Sequence, residues 1–90
     1  MSDNTIFSPR ALREYIEWQA EDRKALKKIN ALIADIQRNG YAGIGHPELL
    51  KGDLSGYCSR EINPKDRIVY TITDTNDIEI IQCKGHYSDK

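Results

Sequence analysis

The chain has 90 residues, 39% of them hydrophobic and 30% charged, with a formal net charge of -1. That is enough apolar material for one core in a single domain over residues 1–90, and it lacks the basic excess that usually marks a nucleic-acid-binding protein. The amino terminus has no basic region followed by a long apolar run, and no stretch reaches the length of a membrane span. A cytoplasmic protein without a membrane partner is therefore expected.

Thr5-Ile6-Phe7 reads as a short strand. Ser8-Pro9 places a capping hydroxyl just before a proline, the favoured start of a helix. In that helix Leu12, Tyr15, Ile16 and Gln19 recur at helical spacing beside Trp18, and Asp22 supplies a second cap that restarts the chain as a second helix. There Leu26, Ile29, Leu32, Ile33 and Ile36 form one face, Arg23, Lys24, Lys27, Lys28, Asp35 and Arg38 lie elsewhere, and Asn39-Gly40 stops the helix. Two antiparallel helices follow from this pattern. The lysines are the solvated side of an amphipathic helix.

Residues 41–53 hold three of the six glycines and read as a loop, with at most a short strand around Leu49-Leu50. His46 in that loop has no second ligand at metal spacing and is expected to be a surface histidine. The remainder reads as strands at 57–62, 67–73 and 78–84. Asn63-Pro64-Lys65-Asp66 is expected to be a four-residue hairpin loop, placing Ile62 opposite Arg67 and Arg60 opposite Val69. Alternation puts Ile68, Tyr70 and Ile72 on one side and Arg67, Val69 and Thr71 on the other, so Arg60 and Arg67 would share the face away from the helices. Lys84 and His86 would project to that same surface. Ile78 and Ile80 share their parity yet suit an exposed face poorly, which calls for a bulge or a partner contact. Cys58 and Cys83 are too far apart for a zinc or thioredoxin-type motif and read as reduced, packed thiols.

The chemistry concentrates in the second half. Glu48, Lys51, Arg60, Arg67, His86 and Tyr87 supply a carboxylate, an ammonium, two guanidinium groups, an imidazole and a phenol. Such groups can move protons around a phosphodiester without a metal or other cofactor.

These residues fall into a longer pattern. Tyr15-Ile16-Glu17-Trp18-Gln19, Asp22, Lys27-Lys28-Ile29-Asn30, Gly45-His46-Pro47-Glu48, Leu50-Lys51, Leu54-Ser55-Gly56, Ser59-Arg60, Arg67-Ile68-Val69-Tyr70 and His86-Tyr87 together resemble the YoeB/Txe toxins of the RelE/ParE superfamily. The resemblance implies an α+β fold, microbial-ribonuclease-like, with a twisted antiparallel sheet and two N-terminal antiparallel helices on one face. It implies a toxin of a type II toxin-antitoxin system, a metal-independent endoribonuclease that cleaves mRNA in the A site of the 70S ribosome. Glu48 would be the general base for the ribose 2′-hydroxyl, Arg67 would stabilise the phosphorane, His86 would protonate the 5′-oxygen, and Tyr87 would stack on the scissile nucleotide. Lys51, Arg60 and Lys84 would bind substrate. The implied products are a 2′,3′-cyclic phosphate or 3′-phosphate end and a 5′-hydroxyl end. The implied protein partners are a YefM/Phd-type antitoxin and a second copy of the chain in a homodimer. Glu61 stands where some members have a second consecutive basic residue, and alternation from Arg60 points it away from RNA. A ParE-like gyrase-binding toxin and a non-catalytic protein-binding domain are the alternatives.

Overall fold

The computed structural model describes residues 4–86. Strand β1 (Thr5–Phe7) leads into helices α1 (Pro9–Glu21) and α2 (Arg23–Asn39). Strands β2 (Glu48–Leu49), β3 (Cys58–Glu61), β4 (Arg67–Ile72) and β5 (Ile78–Gln82) follow, with a 3-10 turn at Gly52–Leu54. The sheet order is β1-β5-β4-β3-β2. Strands β2 to β5 pair antiparallel, and β1 adds a parallel edge beside β5, so the sheet is mixed rather than wholly antiparallel. None of the described helices is long and apolar enough to cross a membrane.

Local chemistry sets the helix ends. The Ser8 hydroxyl accepts from Ala11 N at 3.0 Å with Pro9 at the first helical position, and Asp22 accepts from Lys24 N and Ala25 N. Gly40 closes α2 at φ +67°, a conformation that is costly with a Cβ. Ile29, Leu32 and Ile36 from α2 pack with Ala11 and Trp18 from α1 against Cys58, Ile68, Tyr70, Ile78 and Ile80 of the sheet. Each fully buried isoleucine or leucine contributes about 1.5–3 kcal/mol of transfer free energy.

The buried stripe of α1 differs from the expected one. Leu12 and Ile16 are exposed, while Ala11, Glu14 and Trp18 are buried. Glu14 is inside because its carboxylate accepts from Cys83 N at 2.8 Å and pairs with Arg10. Trp18 Nε1 donates to Cys83 O at 2.7 Å. Helix α1 thus holds both backbone polar groups of the residue just after β5. The Cys83 thiol is packed in the core, and burial, reinforced by Glu14, pushes its pKa up to about 12.

The hairpin between β3 and β4 is tighter by one residue than expected. Asn63 Oδ1 accepts from Lys65 N and Asp66 N, and this Asx turn draws Asp66 back so that its carbonyl accepts from Ile62 N at 2.9 Å. Glu61 therefore faces Arg67, and Arg60 faces Ile68. A one-residue slip exchanges the two faces of a strand. Arg60 accordingly lies on the helix side with Cys58 and Ile62, and Ser59 and Glu61 take the open side with Arg67. A bulge between β4 and β5 aligns Tyr70 with Ile80 but Val69 with Gln82. The extra residue, Ile81, lets Ile78 and Ile80 face the core while Gln82 joins the open face.

Gly43 sits against the Asp35–Arg60 ion pair at φ +129°, and a Cβ there would collide with the Asp35 carboxylate. Gly43→Ala is expected to lower the thermal midpoint by roughly 5–15 °C, since strain and displacement of a buried ion pair together exceed about 1 kcal/mol in a domain of this size. Thermal unfolding followed by circular dichroism measures it.

Candidate active site on the open face of the sheet

Four strands place one row of side chains across the face opposite the helices. Glu48 pairs with Ser59, Ser59 with Val69 and Val69 with Gln82, and directly paired residues share a face. Arg67 lies diagonal to Ser59 and donates from Nε to its hydroxyl at 3.0 Å. Its Nη2 donates to the His46 carbonyl at 3.3 Å and stands 4.0 Å from Glu48 Oε1. The Glu48 carboxylate is exposed and the Arg67 side chain is mostly covered. A carboxylate and a held guanidinium at this spacing can accept a proton and stabilise an anion on one substrate group.

Gly85, the residue before His86, is tied to Arg67 and to Asp66. Arg67 N donates to Gly85 O at 3.0 Å, and Gly85 N donates to Asp66 Oδ1 at 2.7 Å. With Cys83 fixed by Glu14 and Trp18, the segment running into His86 is tied on both sides, and His86 itself is exposed. Tyr87 lies outside the described residues. Lys51 is exposed two residues beyond β2. His46 is exposed, as expected, and its carbonyl rather than its imidazole helps to orient Arg67.

Two expected substrate contacts lie elsewhere. Arg60 has no exposed surface, because the tight hairpin turns it toward the helices. Lys84 leaves the strand at the bend before Gly85. Its Nζ sits 3.0 Å from Glu17 and 2.7 Å from Glu21 of α1, with the Trp18 ring 5.3 Å away. Hydrogen bonds to Glu21 and Glu17 raise its pKa, so it stays charged but is engaged by α1. Glu61, expected to point away, lies directly opposite Arg67 on the open face.

Sequence reasoning missed Ser59, Asp66 and Asp35. Ser59 would follow from the correct hairpin register. Asp35 had no local signal: it looked like part of the polar side of α2, yet its carboxylate is buried against Arg60. Among the described residues no group of three or more histidine, cysteine or acidic side chains could hold a metal ion.

The fold and this row define a small protein of the two-helix, open-sheet type with a carboxylate–guanidinium site. The YoeB/ParE toxin from Agrobacterium tumefaciens has a similar structure, with TM-score 0.92 at 38% identity, covering 94% of this chain and 100% of that one. Staphylococcus aureus YoeB, solved as a heterotetrameric complex with YefM and as a dimer, gives TM-scores of 0.86 and 0.87 at 50% identity, covering 97% of this chain and 100% of each. Toxin YoeB of Synechocystis is 49% identical over 90% of this chain and 93% of its own. Residues 7–87 match the YoeB-like toxin of bacterial type II toxin-antitoxin system, and the chain belongs to that family.

Proposed function

We propose that this toxin is an endoribonuclease that cleaves mRNA in the ribosomal A site without a metal. The observation that carries the reading is the approach of Arg67 to within 4.0 Å of Glu48, with Gly85, the residue before His86, bonded to Arg67. Glu48 removes the proton from a ribose 2′-hydroxyl, and the oxygen attacks the adjacent phosphorus. Arg67, oriented by Ser59 and the His46 carbonyl, stabilises the charge that develops on the phosphoryl oxygens. His86 returns a proton to the leaving 5′-oxygen, and Tyr87 stacks on the scissile nucleotide. Lys51 offers a phosphate contact. The products are a 2′,3′-cyclic phosphate and a 5′-hydroxyl end.

The partners in this reading are the 70S ribosome with its mRNA, a YefM-type antitoxin and a second copy of the chain, acting in the cytoplasm. The S. aureus relative assembled with YefM, and separately as a dimer, supports the latter two.

A net charge of -1, with Arg60 buried and Lys84 paired to glutamates, leaves little general attraction for RNA. The ribosome then supplies the alignment for in-line attack. Purified toxin, stripped of metal by chelation beforehand, is expected to cut mRNA on programmed ribosomes kept intact by Mg²⁺ at least about 100-fold faster than the same RNA free in solution. Equal rates on the two substrates, or loss of the slow cutting of free RNA when chelator is added, would sink the proposal. Gyrase inhibition without mRNA cleavage would replace it.

A further inference from the structure

Arg60 is a fully buried guanidinium, and all five of its N–H groups are donated. Nε donates to the Tyr70 hydroxyl at 3.1 Å, and Nη1 donates to Asp35 Oδ2 and to Ile44 O at 3.0 Å. Nη2 donates to Gly40 O at 2.8 Å and Ala42 O at 2.7 Å. Three of its acceptors are therefore alternate carbonyls of one loop. Asp35 completes the arrangement by accepting from Ile44 N at 3.1 Å and from Asn39 Nδ2 at 2.8 Å.

The start of the loop has other anchors, since the Tyr41 hydroxyl accepts from Ile72 N at 2.9 Å and the Tyr70 hydroxyl donates to Gly40 O at 2.9 Å, but the bonds that hold Ala42 O, Ile44 N and Ile44 O go to Arg60 or Asp35. Residues 41–44 are exposed, including the large side chains of Tyr41 and Ile44. Yet this loop delivers the open-face corner. Gly45 O accepts from Glu61 N at 2.7 Å, His46 O accepts from Arg67, and Glu48 comes two residues later. A buried ion pair is a poor way to add stability, since an apolar pair of similar volume often does as well or better. An apolar pair cannot hold three carbonyls.

We propose that Asp35 and Arg60 are positioning residues for the ribonuclease reaction: from beneath the sheet they fix the Gly40–Ile44 backbone and thereby set Glu48 against Arg67. The inference rests on the ribonuclease reading above, and its test has one readout that does not.

The decisive variant is the double substitution Asp35→Leu with Arg60→Met, which fills the volume and leaves no unpaired buried charge. It is expected to fold, with a thermal midpoint below that of the wild type but above that of Arg60→Ala, since the loop loses its polar partners while no buried charge is left unpaired. The Glu61 amide, bonded to Gly45 and to neither replaced side chain, should exchange at least about 10-fold faster as the loop loosens. Single-turnover cleavage on programmed ribosomes should fall by roughly 10–100-fold, with ribosome affinity within about threefold, because small displacements of a reacting group are costly in rate. Arg60→Lys, which keeps the charge but not the fork, should show the same pattern and serves alone if the double variant does not fold. Folded protein that cleaves at the wild-type rate, or loses only affinity, overturns the proposal. So does an unchanged Glu61 exchange rate. If wild-type toxin cuts no ribosome-bound mRNA, the ribonuclease reading fails. The exchange rate then still decides whether the pair holds the loop.

Discussion

Glutamine in place of His86 is expected to lower single-turnover cleavage of A-site mRNA by roughly 10²–10⁴-fold while ribosome binding persists. Glutamine keeps a similar size and can donate a hydrogen bond, but it cannot transfer a proton to the leaving oxygen. Glu48→Gln should fall in the same range for the converse reason, since an amide cannot accept the 2′-hydroxyl proton. Arg67→Ala should be at least as damaging, because it removes the held charge and leaves the Ser59 hydroxyl and His46 carbonyl without the donor that now bonds them. His86 and Glu48 are exposed and outside the core, so their variants should melt within about 3 °C of the wild type. Cleavage, ribosome affinity and thermal midpoint measured on the same preparations separate the possibilities. A fully active His86→Gln toxin removes the general-acid role, and one that is inactive only because it no longer binds favours a non-catalytic toxin.

The parts of this molecule that were legible in the sequence are those written locally. Ser8-Pro9, Asp22 and Asn39-Gly40 bound the helices because caps act within one turn of the chain. Alternation in β4 assigned Ile68 and Tyr70 to the core, and the structure sets Glu48 4.0 Å from Arg67. What failed depended on contacts between segments. A side-chain oxygen on Asn63 shortened the hairpin by one residue and so exchanged the faces of Arg60 and Glu61. The β4–β5 bulge, which sends Ile80 inward and Gln82 outward, was legible only as an inconsistency in parity. Lys84 was misplaced because Glu17 and Glu21, far away in sequence, reach it from α1. Asp35 looked like one more solvated carboxylate until Arg60 was turned toward it.

That last reversal carries a large stability consequence. Arg60→Ala is expected to destabilise the toxin by about 3–5 kcal/mol, since it leaves the buried Asp35 carboxylate with only the exposed Arg38, 3.6 Å away, as a cation and takes the donor from the Ala42 and Ile44 carbonyls. In a domain whose whole stability is on the order of 5–15 kcal/mol, this lowers the thermal midpoint by roughly 12–40 °C and leaves part of the protein unfolded at 37 °C. The same pair gives stability a definite dependence on acid. The hydrogen bond from Arg60, then that from Ile44 N, holds the Asp35 carboxyl below its ordinary value of 3.8 against the opposing effect of burial. A depressed folded-state pKa means that the unfolded chain binds the proton first as pH falls. The contribution is complete above about 3.8, the unfolded value, and is lost as pH falls below it through the folded-state pKa. Urea unfolding between pH 7 and pH 2.5 should therefore show a loss of stability below about pH 4 in the wild type. The Arg60→Ala protein, already weak at pH 7, should lose less over that interval because the cause of the depression has gone. A variant that melts within a few degrees of the wild type, or one with the same acid slope, would show that Arg60 and Asp35 are not coupled in the way their geometry requires.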